Sequence, residues 1–210
     1  MSAAAVVFVH GLWMTGHESV LLTARLRHAR GYRTRVYHYP SVRAPIAASA
    51  AGLRAAIEAI DAPVVHLVGH SFGGLLILRC LQIDAPAPPG RVVFLGTPCG
   101  GSRAARVLAS WRWGRWLMGR AVAGELLAPR ARRWEAGRAL GIIAGTAGVG
   151  LGRLLLSFGE ANDGTITVAE TRIEGASEHL CLPVTHSSML LSARVARATA
   201  DFLEYGTFGN

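Results

Sequence analysis

Gly69-His70-Ser71-Phe72-Gly73 sets a serine between two glycines, each two positions away. A serine hydroxyl attacks a carbonyl only when a base takes its proton, and the base needs a carboxylate to orient it. This stretch could therefore support acyl transfer through a covalent intermediate. Its flanks fit that chemistry. Val64-Val65-His66-Leu67-Val68 is an apolar, β-branched run, and Leu75-Leu76-Ile77-Leu78 opens a helical pattern. Strand, sharp turn and helix with serine at the tip form a nucleophile elbow. A Cβ at Gly69 or Gly73 would crowd so tight a corner. The helix that follows aims free N–H groups and its positive end at the site.

The base and acid are sought downstream, in the chain order Ser, Asp or Glu, His. His186 follows Val184-Thr185, after an apolar strand at Ala176 to Leu182, and precedes a C-terminal helix. A loop at the carboxyl end of a strand is where the base must lie. His179 falls inside the strand pattern and reads as structural. His66 and His70 flank Ser71 but lie upstream. For the acid, Asp163 in Asn162-Asp163-Gly164 is preferred, with Glu160 of the same loop as runner-up. Asp201 comes after His186, and Asp84 ends the elbow helix as a solvated charge. By itself Asn-Asp-Gly would be an ordinary turn; its place between Ser71 and His186 favours a role in the site.

An oxyanion needs backbone donors. Ala5-Val6-Val7-Phe8-Val9 reads as a strand buried on both faces, and it ends in His10-Gly11-Leu12-Trp13-Met14. The expected donors are the N–H groups of Leu12 and Phe72. His10 is expected to hold the loop rather than to react. Trp13 and Met14 either line the acyl side of a pocket or pack in the core.

Around these residues, strands alternate with helices at Glu18 to Ala29 and Ile46 to Ile60. Further strands are expected at Thr34 to Tyr37, Arg91 to Gly96 and Leu140 to Gly145. That order predicts an α/β fold: a mostly parallel central sheet with helices on both faces. In such sheets, sites form at the carboxyl ends of strands. His10 and Ser71 both sit at such ends. From 103 to 138 the composition shifts to Trp111, Trp113, Trp116 and Trp134 interleaved with arginines, which predicts a small helical cap inserted in a single domain spanning 1–210. Tryptophan with arginine suits an amphiphilic substrate or peripheral contact with anionic lipid. Packing of the cap on its own body is the plainer alternative. Leu154 to Phe158 is apolar and could line the pocket or close the core.

The composition bounds the rest. The mean hydropathy is +0.32 and 51% of the 210 residues are hydrophobic, which excludes a disordered chain. The net charge is +9 and every basic residue is arginine, yet no nucleic-acid recognition motif accompanies the charge. Cys80, Cys99 and Cys181 lack metal-ligand spacing and are expected to be small buried thiols, with no metal site. No basic leader precedes the first strand, and no apolar run reaches the roughly 20 residues of a membrane span, so a cytoplasmic location is expected.

Val9-His10-Gly11, Gly69-His70-Ser71-Phe72-Gly73-Gly74, Asn162-Asp163-Gly164-Thr165 and Thr185-His186-Ser187-Ser188-Met189-Leu190 together resemble small bacterial α/β-hydrolases of the lipase/esterase kind. The resemblance runs from the first strand to the last helix and is weakest from Trp111 to Leu156. It implies a Ser71–His186–Asp163 triad and a cofactor-free carboxylesterase or lipase acting on a small-molecule or lipid ester. Acyl transfer or thioester hydrolysis on the same triad, and a non-catalytic lipid-binding protein of the same fold, are the alternatives.

Overall fold

A computed structural model describes residues 4–83, 87–127, 132–149 and 159–209. Six strands form one all-parallel sheet: β1 (Ala5–Val9), β2 (Arg33–Tyr37), β3 (Val65–His70), β4 (Val92–Leu95), β5 (Leu140–Gly145) and β6 (Glu178–Leu182). Their spatial order is β2-β1-β3-β4-β5-β6. β1 thus lies inside the sheet next to the edge strand β2, and the elbow strand β3 lies between β1 and β4. Registers such as Val9 beside Gly69 and His70 beside Leu95 bring the ends of these three strands level.

Alternation along the strands assigns the helices to faces. Val6 and Phe8 of β1 join Val68, Val93 and Ile143 against α1 (Val20–Arg30) and the C-terminal helix. Ala5, Val7 and Val9 join Leu67, Phe94 and Ile142 against α2 (Ile46–Glu58) and α3 (Phe72–Leu81). Side chains that alternate between two covered faces explain why these strands read as unbroken apolar runs. Gly31, at φ 67°, stops α1 with a left-handed cap.

The stretch expected to form a cap holds α4 (Arg103–Ser110) and α5 (Arg112–Leu126). Ser102 caps α4 by accepting the Ala105 N–H at 3.1 Å. Ala105, Ala109, Met118 and Leu126 are buried in the same cluster as α2 and α3. Glu125 then ties α5 to the elbow helix, pairing with Arg79 of α3 at 2.7 Å and Arg132 at 3.0 Å. Burial opposes ionisation of Glu125, but the two arginines outweigh it and hold its carboxyl below the usual range. Trp134, expected on the cap, is instead core. It is buried, meets Phe94 edge-on at 5.6 Å, and donates its indole N–H to the Arg138 carbonyl at 2.6 Å. Leu154 to Phe158 and Asp84 lie outside the described residues.

The chain closes with α6 (Ala193–Tyr205), which packs on α1 and is capped by Ser192. One expectation about the cysteines fails. Cys80 and Cys99 are buried, but Cys181 is exposed. On the edge strand β6, Glu178 to Leu180 are half-buried, Cys181 is exposed and only Leu182 is buried. Burial pushes the Cys80 thiol up to about 11 and the Cys99 thiol up to about 12, so neither supplies a thiolate near neutral pH. Among the described residues no group of three or more His, Cys, Asp or Glu side chains could hold a metal ion, and no helix is long and apolar enough to cross a membrane.

Candidate active site

Ser71 sits between β3 and α3 with φ 54° and ψ −124°, one of two non-glycine residues with positive φ among those described. Such a conformation costs roughly 1–3 kcal/mol and persists only where the surroundings enforce it. The Ser71 N–H donates to the Leu95 carbonyl at 2.8 Å, which pins the elbow to β4. The two elbow glycines are required by contact. A Cβ on Gly69 would lie 2.6 Å from the backbone of Gly74, and one on Gly73 would meet the carbonyls of Val9 and His10. Gly73 therefore lets α3 lie directly on the end of β1.

Asp163 and His186 come together. The His186 Nδ1–H donates to Asp163 Oδ2 at 2.6 Å, and the His186 N–H donates to the Asp163 carbonyl at 2.8 Å. The other carboxylate oxygen, Oδ1, accepts the N–H groups of Thr165 at 2.9 Å and Ile166 at 2.7 Å. Asp163 is 1% exposed, so these three donors replace its water. A carboxylate that only accepts fixes the proton on Nδ1 and leaves Nε2 free to act as a base. Glu160 does not compete: it is exposed and pairs with Arg103 at 3.0 Å. Asp201 pairs with Arg30 on the α1–α6 face. His179 bonds Thr171 Oγ1 at 2.9 Å, a structural role as expected.

Two residues to which the sequence assigned no part in the site pack against this pair. Gly96, just after β4, has φ 56°, and a Cβ there would lie 3.0 Å from His186 Nδ1 and 3.1 Å from Asp163 Oδ2. Its bare backbone is the floor beneath both side chains. His70, immediately before Ser71, is fully buried, with its ring 4.8 Å from that of His186. Its Nε2–H donates to the His186 carbonyl at 2.9 Å, which ties the base's loop to the elbow strand. Burial, followed by the nearby His186, pushes His70 down to about 3, so it stays neutral. The Ser71 hydroxyl is not hydrogen-bonded to the His186 ring.

Beside Ser71 lies the loop after β1. His10 is buried and stacks on Tyr39 at 4.4 Å. Its Nδ1–H donates to the Gly11 carbonyl at 2.9 Å and its Nε2 accepts the Tyr39 N–H at 3.4 Å, the loop-holding role expected of it. A Cβ on Gly11 would lie 3.1 Å from Ser71 Cβ and 3.1 Å from Met14 Sδ. Gly11 therefore keeps Met14 and Ser71 adjacent. Neither the Leu12 nor the Phe72 N–H donates to a protein acceptor among the described residues. Trp13 and Met14 line an open groove of about 600 Å³, together with His38, Tyr39, Ser41 and Val42. Trp13 is held at φ 59° with its ring 53% exposed, so it belongs to the groove wall rather than the core.

The buried histidines give the fold a pH dependence. Burial, reinforced by Arg91 and Arg138, pushes His66 down to about 4. In the unfolded chain each histidine takes its proton below about 6.5. Folded His66 and His70 hold theirs off until about 4 and about 3. The unfolded state binds more protons in that window, so stability is full above about 6.5 and falls as pH drops. Each histidine adds a slope of up to about 1.4 kcal/mol per pH unit. Urea midpoints measured from neutral to mildly acidic pH should decline, with a shallower slope in His66→Asn; a flat profile would contradict the buried neutral state.

The model of the alpha/beta hydrolase family matches residues 6–199. The chain belongs to the alpha/beta hydrolase family. Solved structures show the same fold. The mature lipase BlEst2 of Bacillus licheniformis superposes with a TM-score of 0.72 at 24% identity, over 98% of this chain and 93% of that one. Phospholipase PlaB of Legionella pneumophila gives 0.70 at 17% identity, over 95% of this chain and 55% of its own length. The metagenomic carboxyl esterase MGS0156 gives 0.67 at 21%, over 89% and 65%. No protein of curated function matches the hydrolase chain by sequence.

Proposed function

We propose that this hydrolase-family protein cleaves carboxylic esters through an acyl-enzyme on Ser71. The observation that carries the proposal is the buried Asp163–His186 hydrogen bond of 2.6 Å beside a serine held in a strained turn. Lipases and an esterase among the structural neighbours support a lipid or other ester as substrate.

In the proposed reaction, Ser71 Oγ attacks the ester carbonyl while His186 Nε2 takes the hydroxyl proton. Asp163 holds the imidazole with its proton on Nδ1 and stabilises the cation that forms. The carbonyl oxygen becomes an oxyanion between the N–H groups of Leu12 and Phe72. Loss of one such donor costs on the order of 3 kcal/mol of barrier. As the tetrahedral intermediate collapses, the ester C–O bond breaks and His186 passes the proton to the leaving alcohol. Water then repeats the sequence on the acyl-enzyme and frees the acid and Ser71. The acyl or alkyl chain lies in the groove walled by Trp13 and Met14, with α4 and α5 as the cap at its side.

Turnover of p-nitrophenyl butyrate tests the proposal. An initial release of p-nitrophenol equal to the enzyme present, followed by steady turnover, is the expected result. Absence of both the burst and the turnover from folded protein would overturn it.

A further inference from the structure

Three tryptophans outside the Ser71 region share one exposed surface. Trp111 caps the start of α5, and Trp113 and Trp116 stand on its first turns. They are 39%, 57% and 83% exposed. Trp113 and Trp116 are three residues apart and therefore lie on the same side of the helix. Trp111 stacks on Trp113 with ring centres 5.2 Å apart and planes 19° from parallel. Large apolar groups grouped in water mark a contact surface, whereas scattered ones do not.

The charge beside these rings is one-sided. Between 103 and 127 the sequence carries five arginines and one acid, Glu125. Glu125 is buried and already paired with Arg79 and Arg132, and Glu160 pairs with Arg103 at the far end of α4, so no acid in α4 or α5 offsets the charge beside the tryptophans. Arg112 is exposed between Trp111 and Trp113. The partner must therefore accept indole rings and bring negative charge. A second copy of the chain brings the same arginines and a net charge of +9, which repels. A bilayer containing acidic phospholipid offers both: an interfacial layer where indoles settle, and phosphates that attract arginine.

We propose that the α4–α5 surface docks on an anionic phospholipid bilayer, with Trp111, Trp113 and Trp116 at the interface and Arg112 toward the headgroups. The docked helix sits at the groove. At Gly119, φ 71°, α5 turns so closely onto the Val42 carbonyl that no Cβ fits. Val42 lines the groove whose Met14 adjoins Gly11 and Ser71. Docking therefore brings the groove to the bilayer surface, where an ester carried by the membrane can reach it. That consequence rests on the proposed Ser71 chemistry; the docking itself does not.

Co-sedimentation with vesicles tests it, using Ser71→Ala so that lipid is not consumed. Vesicles of phosphatidylcholine with about one-third phosphatidylglycerol should bind at least about tenfold more protein than phosphatidylcholine alone, and added salt should weaken the binding. Trp113→Ala/Trp116→Ala should reduce binding by about tenfold. The same double substitution in the Ser71 protein should leave turnover of a soluble short-chain ester unchanged. Arg112→Glu is a second variant with the same expected loss of binding, should the tryptophan variant fail to fold. Equal binding to both vesicle types, or variants that bind like the parent, would overturn the proposal. So would sedimentation equilibrium showing a dimer that the tryptophan substitutions dissolve. Vesicle binding without ester turnover in the Ser71 protein would count against the ester proposal alone. Ester turnover without vesicle binding would count against docking alone.

Discussion

Asp163→Asn is expected to lower kcat by about 10,000-fold while the protein stays folded. The reason lies in which atoms each carboxylate oxygen serves. Oδ1 accepts two backbone N–H groups, from Thr165 and Ile166, and Oδ2 accepts from His186 Nδ1. An asparagine must keep its carbonyl oxygen toward the two amides, because its NH2 would oppose their hydrogens. The NH2 then faces His186 and makes Nδ1 the acceptor. The ring proton moves to Nε2, and the base can no longer take a proton from serine. Steady-state kinetics with a short-chain ester, alongside circular dichroism, checks this. Activity within tenfold of the parent would mean that Asp163 does not orient the base.

Ser71→Ala is expected to abolish turnover by about 10,000-fold or more, leaving only what the oxyanion donors and binding supply. Ser71→Gly should lose activity as completely and yet gain stability. The serine backbone stores roughly 1–3 kcal/mol of strain at φ 54°, and glycine relieves it. The glycine also loosens the unfolded chain by roughly 0.5–1 kcal/mol, so the expected net gain is about 1 kcal/mol. Urea denaturation of the three proteins reads that difference. Equal stability of Ser71→Gly and Ser71→Ala would show that the elbow is not strained.

Much of this architecture is legible in the sequence because it follows from local rules. Continuous apolar runs mark doubly covered strands, and β1 and β5 fall on the expected residues. Gly69, Ser71 and Gly73, set between an apolar strand pattern and an apolar helix pattern, announce the elbow. Asp163 and His186 follow from chain order, and they meet in a hydrogen bond. What stayed hidden depends on what lies across the fold. Gly96 looks like any strand-ending glycine until His186 and Asp163 pack over it. His70 lies upstream of Ser71, where no base is expected, and its reach to the His186 carbonyl spans 116 positions of chain. Trp134 sits among arginines as the exposed tryptophans do, but it is buried against Phe94 and its indole N–H reaches the Arg138 carbonyl. Cys181 differs from the buried cysteines because strand order leaves β6 at the edge, which no local pattern states.

Labelling with a fluorophosphonate probe, followed by peptide mapping, tests the central assignment most directly, because only an activated serine reacts. A Ser71 nucleophile predicts one labelled peptide, carrying the probe on Ser71, and no labelling of Ser71→Ala. Folded protein that takes up no probe, or a label that persists in Ser71→Ala, would contradict it.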